Sequence, residues 1–394
     1  MKNIINIAKI LILLTLLAAA PPAYASKWYF VSPSGSDSNL GTSSSAPWQT
    51  IEKVNATPLF PGDRVYFQGG QTFQGNLELS NIIGDSVQRI VISSYGTGNA
   101  TIRAITGNAI DLNNALYVVV TFINVEGPGW NLGVLNDDSR GIDFSGATSH
   151  SVIDHVAATG FHTAGISTGP STHDNWITND SASQNGRIGI WIEGNNQIVS
   201  NCYADNNFGD LTVTNNWSGS GIVADTGSYI TIEYCEASGN GSEQPYSGNG
   251  PVGIWCWYAD HVYIAHCISH DNHRGLASTD GGGFDFDGGT TNSTIEYCLS
   301  YNNEGAGYMI YNFNWNNIQN SGNTIRYSTS QNDATKGMQA IVFGSGGVPL
   351  SNNVVSGNTI VNTDGREGTV YSGNYTGVAF TNNTWITAGP LYAL

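Results

Sequence analysis

The chain has 394 residues, with 13 Lys and Arg against 30 Asp and Glu, a formal net charge of −17. That balance argues against a nucleic-acid binder, which neutralises phosphates with a basic face, and against tight binding to anionic membranes. With 49 Gly, 11% charged residues and 11% aromatics, composition points away from helix and disorder, toward a turn-rich all-β protein. Residues 1–25 read as a secretory signal: Lys2 and Lys9, the apolar run Ile10–Ala20, then the small-x-small site Ala23-Tyr24-Ala25. Cleavage there removes two Lys and no acid, so the mature chain carries net −19 and is expected outside the cytoplasm, extracellular or periplasmic. No other apolar run approaches the ~20 residues of a membrane span.

The mature N-terminus reads Tyr29-Phe30-Val31-Ser32-Pro33-Ser34-Gly35-Ser36-Asp37, then Gly41-Thr42, Pro47-Trp48-Gln49-Thr50-Ile51 and Pro61-Gly62-Asp63-Arg64-Val65. This resembles the opening of secreted right-handed parallel β-helix proteins of the pectate-lyase-like superfamily. The resemblance implies a first strand and a short amphipathic helix near Trp48–Val54 that cap the open end of a solenoid. Without a cap, the terminal coil would expose core and strand edge. Residues 26–106 are then the N-terminal cap and first coils, and 107–394 a single-domain right-handed parallel β-helix. The superfamily includes lyases, hydrolases, epimerases and non-catalytic surface proteins, so the resemblance leaves the reaction open.

Beyond the cap the chain repeats. A Gly or Ala followed by an apolar residue recurs at Gly141-Ile142, Gly165-Ile166, Gly189-Ile190, Gly221-Ile222, Gly253-Ile254, Gly283-Phe284, Gly307-Tyr308, Ala340-Ile341 and Gly368-Thr369. The first two intervals are 24 residues and the next are 32, 32, 30 and 24. A fixed short period with surpluses on some turns marks a solenoid with inserted loops. Each unit holds short strands joined by Gly, Asn and Asp, too short for a long helix, which points independently to a parallel β-helix. Cys202, Cys235, Cys267 and Cys298 lie 33, 32 and 31 apart, so they share one coil position. They read as small buried hydrophobes, since no Cys-x-x-Cys element is present. Five residues after each comes Asn207, Asn240, Asn272 and Asn303, with Asn185 extending a column of stacked amides.

Side chains alternate faces along a strand. One and three residues after the repeated Gly come inward pairs such as Ile190/Ile192, Ile254/Cys256 and Phe284/Phe286. Two and four after it come Trp191/Glu193, Val223/Asp225, Trp255/Trp257, Asp285/Asp287 and Met309/Tyr311, which should point outward. This face carries acids and aromatics with no Lys or Arg. Aromatic rings stack on the apolar face of a pyranose, and carboxylates bond hydroxyls or act on the glycosidic bond. The surplus segments Phe208–Ser220, Gly241–Val252 and His273–Gly282 precede the same strand on successive coils and should wall a cleft. The third brings His273, Arg274 and Asp280. Asn312–Gly322, with Trp315, and Gly344–Ser351 form the opposite wall, and Lys336 lies on a turn nearby.

Asp285 and Asp287, two apart on a strand, should stand ~6.6 Å apart, and Asp225 ~10 Å from Asp287. An inverting glycosidase needs its acid and base ~6.5–9.5 Å apart. The expectation is therefore a glycoside hydrolase with Asp285, Asp287 and Asp225 as catalytic candidates. Trp255, Trp257, Trp191, Tyr311, Glu193, His273 and Arg274 are the candidate substrate contacts, with no required cofactor. One alternative is a polysaccharide lyase of pectate or alginate type, or an epimerase, with calcium on Asp225, Asp285 and Asp287 and His273, Arg274 or Lys336 as base. Another is a non-catalytic carbohydrate-binding surface protein. A polyuronate would be repelled by net −19, which favours hydrolysis of a neutral or weakly charged glycan. The expected partner is that polysaccharide or oligosaccharide, with no nucleic acid or membrane, and the protein is expected to be monomeric.

Overall fold

A computed structural model describes residues 25–129, 138–312, 318–362, 369–372 and 375–387. The signal-like segment up to residue 24 and Trp315 lie outside the described residues. Three long parallel sheets of 13, 12 and 11 strands run along the chain. Each coil gives one strand to each sheet. On one coil these are Thr231–Glu233, Glu236–Ser238 and Val252–Trp257. The next coil opens with Tyr263–Ala265, which pairs with the first of them. This is a parallel β-helix.

The repeated apolar residue lines the interior in strict register. Ile142, Ile166, Ile190, Ile222, Ile254, Phe284, Tyr308 and Ile341 pair rung by rung and all are buried. The Gly before it has a packing reason. A Cβ on Gly221 would collide with the carbonyl oxygen of Gly253 on the next coil and with Ala237 across the interior.

The Asn column is a hydrogen-bonded ladder. The Asn240 side-chain oxygen accepts from the backbone N–H of Asn207 (3.0 Å) and from its amide (2.9 Å). The same pair of bonds joins Asn185 to Asn207, Asn240 to Asn272 and Asn272 to Asn303. The column ends on Asp333, which accepts both bonds from Asn303 and whose carboxyl is pushed up to about 6 by burial.

Between the first two strands of a coil the chain turns through a left-handed residue. Tyr234, His266, Tyr297 and Tyr327 hold φ of 52–54°, where bulky side chains are uncommon. Their rings stack down the column at 5.0, 5.3 and 5.5 Å, which offsets that cost. The residue after the turn points inward, and on four coils it is Cys. All five cysteines are free and buried. Thiol titration of the unfolded, unreduced protein should therefore count five; a count of one or three would mean bridges.

At the N-terminal end, Ile51–Asn55 is a one-turn helix with Thr50 as N-cap, its hydroxyl accepting from Lys53 N at 3.2 Å. Asp37 in turn holds Thr50 through its N–H and hydroxyl. Ile51 and Val54 are buried against the interior, so the helix covers the first coils as a cap must.

Candidate active site

The outer face of the 11-stranded sheet carries two columns. The first runs in register through Asp143, Ser167, Trp191, Val223, Trp255, Asp285, Met309 and Val342. The second, two residues further along each strand, passes Glu193, Asp225, Trp257, Asp287 and Tyr311, with Asp225 paired to Trp257. Their inward neighbours are core, so the alternation read from the sequence holds.

The cover over these columns differs from the expectation. Loops 208–219, 241–251 and 273–281 do not simply rise beside the face. They bond to one another, Glu243 N to Phe208 O at 2.6 Å, Leu276 N to Gln244 O at 2.8 Å and Gly281 N to Pro251 O at 2.9 Å, and fold over the first column. Trp217 from the first loop stands edge-on to Trp255, with ring centroids 4.9 Å apart at 77°. Together with Ala164, Ile188, Val223 and Val252 they form a second apolar core. Trp255 is 3% exposed. It anchors a loop and offers no face to a sugar, which corrects its assignment as a substrate contact. Trp257 remains half-buried, packed against this core and tilted on Tyr258.

Beyond the Trp pair the loops leave a cavity of about 250 Å³, lined by Asp280, Asp285, Asp287, Tyr311, Met309 and Met338 among others. Asp285 and Asp287 come up from the strand and its end, and Asp280 comes in from the wall. Gly281 permits that entry. It holds φ of 85°, and a Cβ there would lie 2.6 Å from Arg274 N. Asp287 Oδ1 accepts the Gly288 N–H at 2.7 Å, and Asp280 Oδ2 accepts the Gly250 N–H at 2.5 Å. Asp285 is 2% exposed, and among the described residues its Oδ1 has no hydrogen-bond partner.

Three carboxyls in one water-poor cavity cannot all ionise. Burial first, then the charges of Asp287 and Asp280, push the Asp285 carboxyl far above the usual range. Burial also raises Asp287, opposed by the Gly288 N–H. Asp280 is raised by burial as well, but both the Gly250 N–H and the positive charge of Arg274 favour its ionised form. Burial and the three acids raise the Tyr311 phenol. The cavity therefore holds a proton on Asp285 while Asp280 is the carboxylate best placed to ionise.

That arrangement has a stability consequence. Asp285 has a folded-state pKa above its unfolded value of ≈ 3.9, so its contribution is fully present below about pH 4 and is lost as pH rises toward the folded value. Asp285→Asn keeps the uncharged form at every pH. It should melt above the wild type at pH 7, with the gap closing below about pH 4. A gap that does not change with pH would mean Asp285 is not held protonated.

Towards the N-terminal end of the same face lies a second polar patch. Trp191 Nε1 donates to Asp225 Oδ2 at 3.3 Å, and the Thr226 hydroxyl donates to Asp225 Oδ1 at 2.7 Å. The Arg140 guanidinium lies 5.4 Å over the Trp191 ring and pairs with Asp143 at 3.0 Å. Burial, then the charge of Asp225, pushes Glu193 up to about 7. Asp225 therefore belongs with Trp191 and Glu193. It stands two rungs from Asp287, ~10 Å, with Trp257 on the rung between, and does not join the Asp285–Asp287 cavity. A calcium site on Asp225, Asp285 and Asp287 does not fit this placement. Among the described residues no group of three or more His, Cys, Asp or Glu side chains is arranged to hold a metal ion.

His273 and Arg274 are also corrected. The His273 ring and the Arg274 backbone N–H turn to Glu304. His273 Nδ1 meets its Oε1 at 3.1 Å and Arg274 N donates to its Oε2 at 2.9 Å, while Lys336 Nζ lies 2.6 Å from Oε1. The Arg274 side chain donates to Ser278 O at 3.0 Å and to Lys336 O. Burial raises the Glu304 carboxyl, but the bonds from Lys336, Arg274 and His273 bring it below its ordinary value. This cluster pins the third loop. Of the candidates named from the sequence, the structure gathers Asp285, Asp287 and Tyr311 in one cavity and adds Asp280, which the sequence reading placed only on a wall.

Comparison with known proteins agrees with the geometry. Residues 206–385 match the family model described as a right-handed β-helix region. The fold is a right-handed parallel β-helix. An 86-residue stretch is 36% identical to lacto-N-biosidase of Bifidobacterium longum subsp. longum, covering 21% of this chain and 5% of that protein. The chain thus spans about a twentieth of the length of that curated relative. The crystal structure of GH136 lacto-N-biosidase from Eubacterium ramulus superimposes with a TM-score of 0.66 at 16% identity, over 92% of this chain and 68% of that one. The A-module of the mannuronan C-5 epimerase AlgE4 from Azotobacter vinelandii gives 0.55 at 15% identity, over 84% and 89%. At these identities the right-handed β-helices share the fold.

Proposed function

We propose that this protein is an exported glycoside hydrolase that cleaves a neutral or weakly charged glycan bound along the outer face of the 11-stranded sheet. The observation that carries this reading is the cavity in which Asp280, Asp285 and Asp287 meet, with an unpartnered Asp285 oxygen. A glycosidase needs one protonated and one ionised carboxyl flanking the bond. Burial and mutual repulsion supply that split here. Burial raises the carboxyls of both Asp285 and Asp287, and this pair supplies the proton to the leaving oxygen. Asp280 acts as the ionised partner, as nucleophile or as base toward water. Tyr311 and Trp257 border the path of the sugar on either side of Asp287.

An eliminating enzyme needs a cation against the uronate carboxylate and a base for the C5 proton. Among the described residues the cavity lining contains no Lys, Arg or His; His273 and Lys336 pair with Glu304, and the Arg274 guanidinium donates to Ser278 O and Lys336 O. The similarity to a lacto-N-biosidase favours hydrolysis too, and places oligosaccharides ending in lacto-N-biose among the first substrates to try.

The test is a digest of such oligosaccharides together with neutral and acidic polysaccharides, read by new reducing ends and by ultraviolet absorbance of unsaturated uronates. Hydrolysis gives the first signal alone. Both signals together would replace this reading with a lyase, and neither across the panel would leave a binding protein. Chelator added to the digest should leave turnover unchanged at moderate temperature; loss of turnover without loss of stability would contradict the metal-free mechanism.

A further inference from the structure

The outer face of the 13-stranded sheet, a different face of the solenoid from the acid cavity, carries a second concave site of about 370 Å³. Its floor is the column Val152, Trp176, Ile198 and Thr231, paired rung to rung. Trp176 is 54% exposed and Tyr229, at the rim, is 57% exposed. Among the described residues no ring stacks on Trp176, whereas the Tyr229 ring is fixed by stacking on His261 at 4.8 Å. Exposing an indole on a flat sheet forgoes the burial its area would gain, and such a patch with a polar rim marks a binding site. Polar groups stand around it. Asn196 and Asp174 line the site, and Arg89 closes one end.

The charges at this site are already answered. The Arg89 guanidinium donates to His150 O at 2.7 Å and lies over Tyr117 at 5.4 Å. Asp174 takes His173 Nδ1 at 2.7 Å, with His150 Nδ1 at 3.9 Å. With one cation and one anion each engaged, the site favours a neutral ligand. A fixed aromatic face beside hydrogen-bonding side chains suits a ring with one C–H face and hydroxyls at its edge.

We propose that this site binds neutral pyranose units of a glycan chain, holding the polymer on a face of the solenoid remote from the acid cavity. The ligand class rests on the carbohydrate-active reading given above. The site itself acts without cleavage. The rim is polar and the apolar floor narrow, which fits a sugar better than a second copy of the chain, whose interface would need a broader apolar core.

Native affinity electrophoresis tests this with Asp287→Asn protein, so that nothing is digested, in gels cast singly with pectic galactan, galactomannan, xylan or mucin. At least one neutral polysaccharide should retard the protein. Trp176→Ala and Tyr229→Ala, each placed in the otherwise wild-type chain and in the Asp287→Asn chain, should each weaken retention by about tenfold. Both should leave turnover of a short soluble oligosaccharide unchanged, and Trp176→Ala should leave the melting temperature unchanged. No retardation in any gel, or retardation indifferent to Trp176→Ala, overturns the proposal. So does a dimer seen by light scattering that Trp176→Ala abolishes. If retention behaves as expected and no substrate is ever cleaved, it is the hydrolase reading that fails.

Discussion

Asp287→Asn should lower kcat by about 10²–10⁴ with KM nearly unchanged, the worth of a positioned acid or base. The amide preserves the size of the side chain and the bond from the Gly288 N–H. It can neither give nor take the proton that the raised Asp287 carboxyl can exchange. Asp280→Asn should cost about as much, because it removes the carboxylate that the Gly250 N–H and Arg274 favour as ionised. The double variant should lose little beyond the worse single one, since acid and base act as a unit. Initial rates over a range of substrate concentrations separate kcat from KM. Near-normal turnover in both single variants would remove the cavity from consideration and move attention to Glu193 and Asp225.

Asn240→Ala should destabilise the solenoid by about 4 kcal/mol or more, far beyond a surface substitution. The side chain accepts two bonds from Asn207 and donates to Ala204 O and to Asn272 Oδ1, both at 2.9 Å. Truncation removes four buried bonds, leaving Asn272 Oδ1 with only the Asn240 N–H and the Asn207 amide with only Ala182 O, at about 1 kcal/mol or more for each bond lost. Because coils contact only their neighbours, the loss should appear as early opening of the central coils. Denaturant unfolding and amide exchange on those coils would show it. A loss under about 1 kcal/mol would mean water replaces the ladder bonds.

The interior was legible because the coil repeats. Gly221 must be Gly where the next coil's carbonyl passes, and Ile222 must be apolar where it meets Ile190 and Ile254. Both requirements return on every turn. The same register extends to the neighbouring residues. His273 and Glu304 are 31 residues apart, as are Asn272 and Asn303, so the ladder that joins the Asn pair sets His273 against Glu304. The ladder's last member, Asp333, is 30 residues beyond Asn303, and the change of residue type there hides it in the repeat.

What the alternation could not give is cover. It says on which side of the sheet a side chain stands, and Trp255 does stand outside, but not that Trp217, on a segment with no repeat, folds down onto it. Asp280 lies on another such insertion. Its only mark in the sequence is its place just before Gly281-Gly282-Gly283, at the entry to the strand that carries Asp285. The burial of Asp285 beneath these loops is likewise a tertiary fact, and it turns a surface acid into one that keeps its proton.

The most direct test of the central claim is cleavage of a confirmed substrate in heavy-oxygen water, in the presence of chelator, with products weighed by mass spectrometry. Hydrolysis by the acid cavity predicts that each newly formed reducing end carries one heavy oxygen and that Asp287→Asn protein releases almost none. Unlabelled reducing ends paired with unsaturated sugars, or undiminished labelled product from the Asp287→Asn protein, would contradict it.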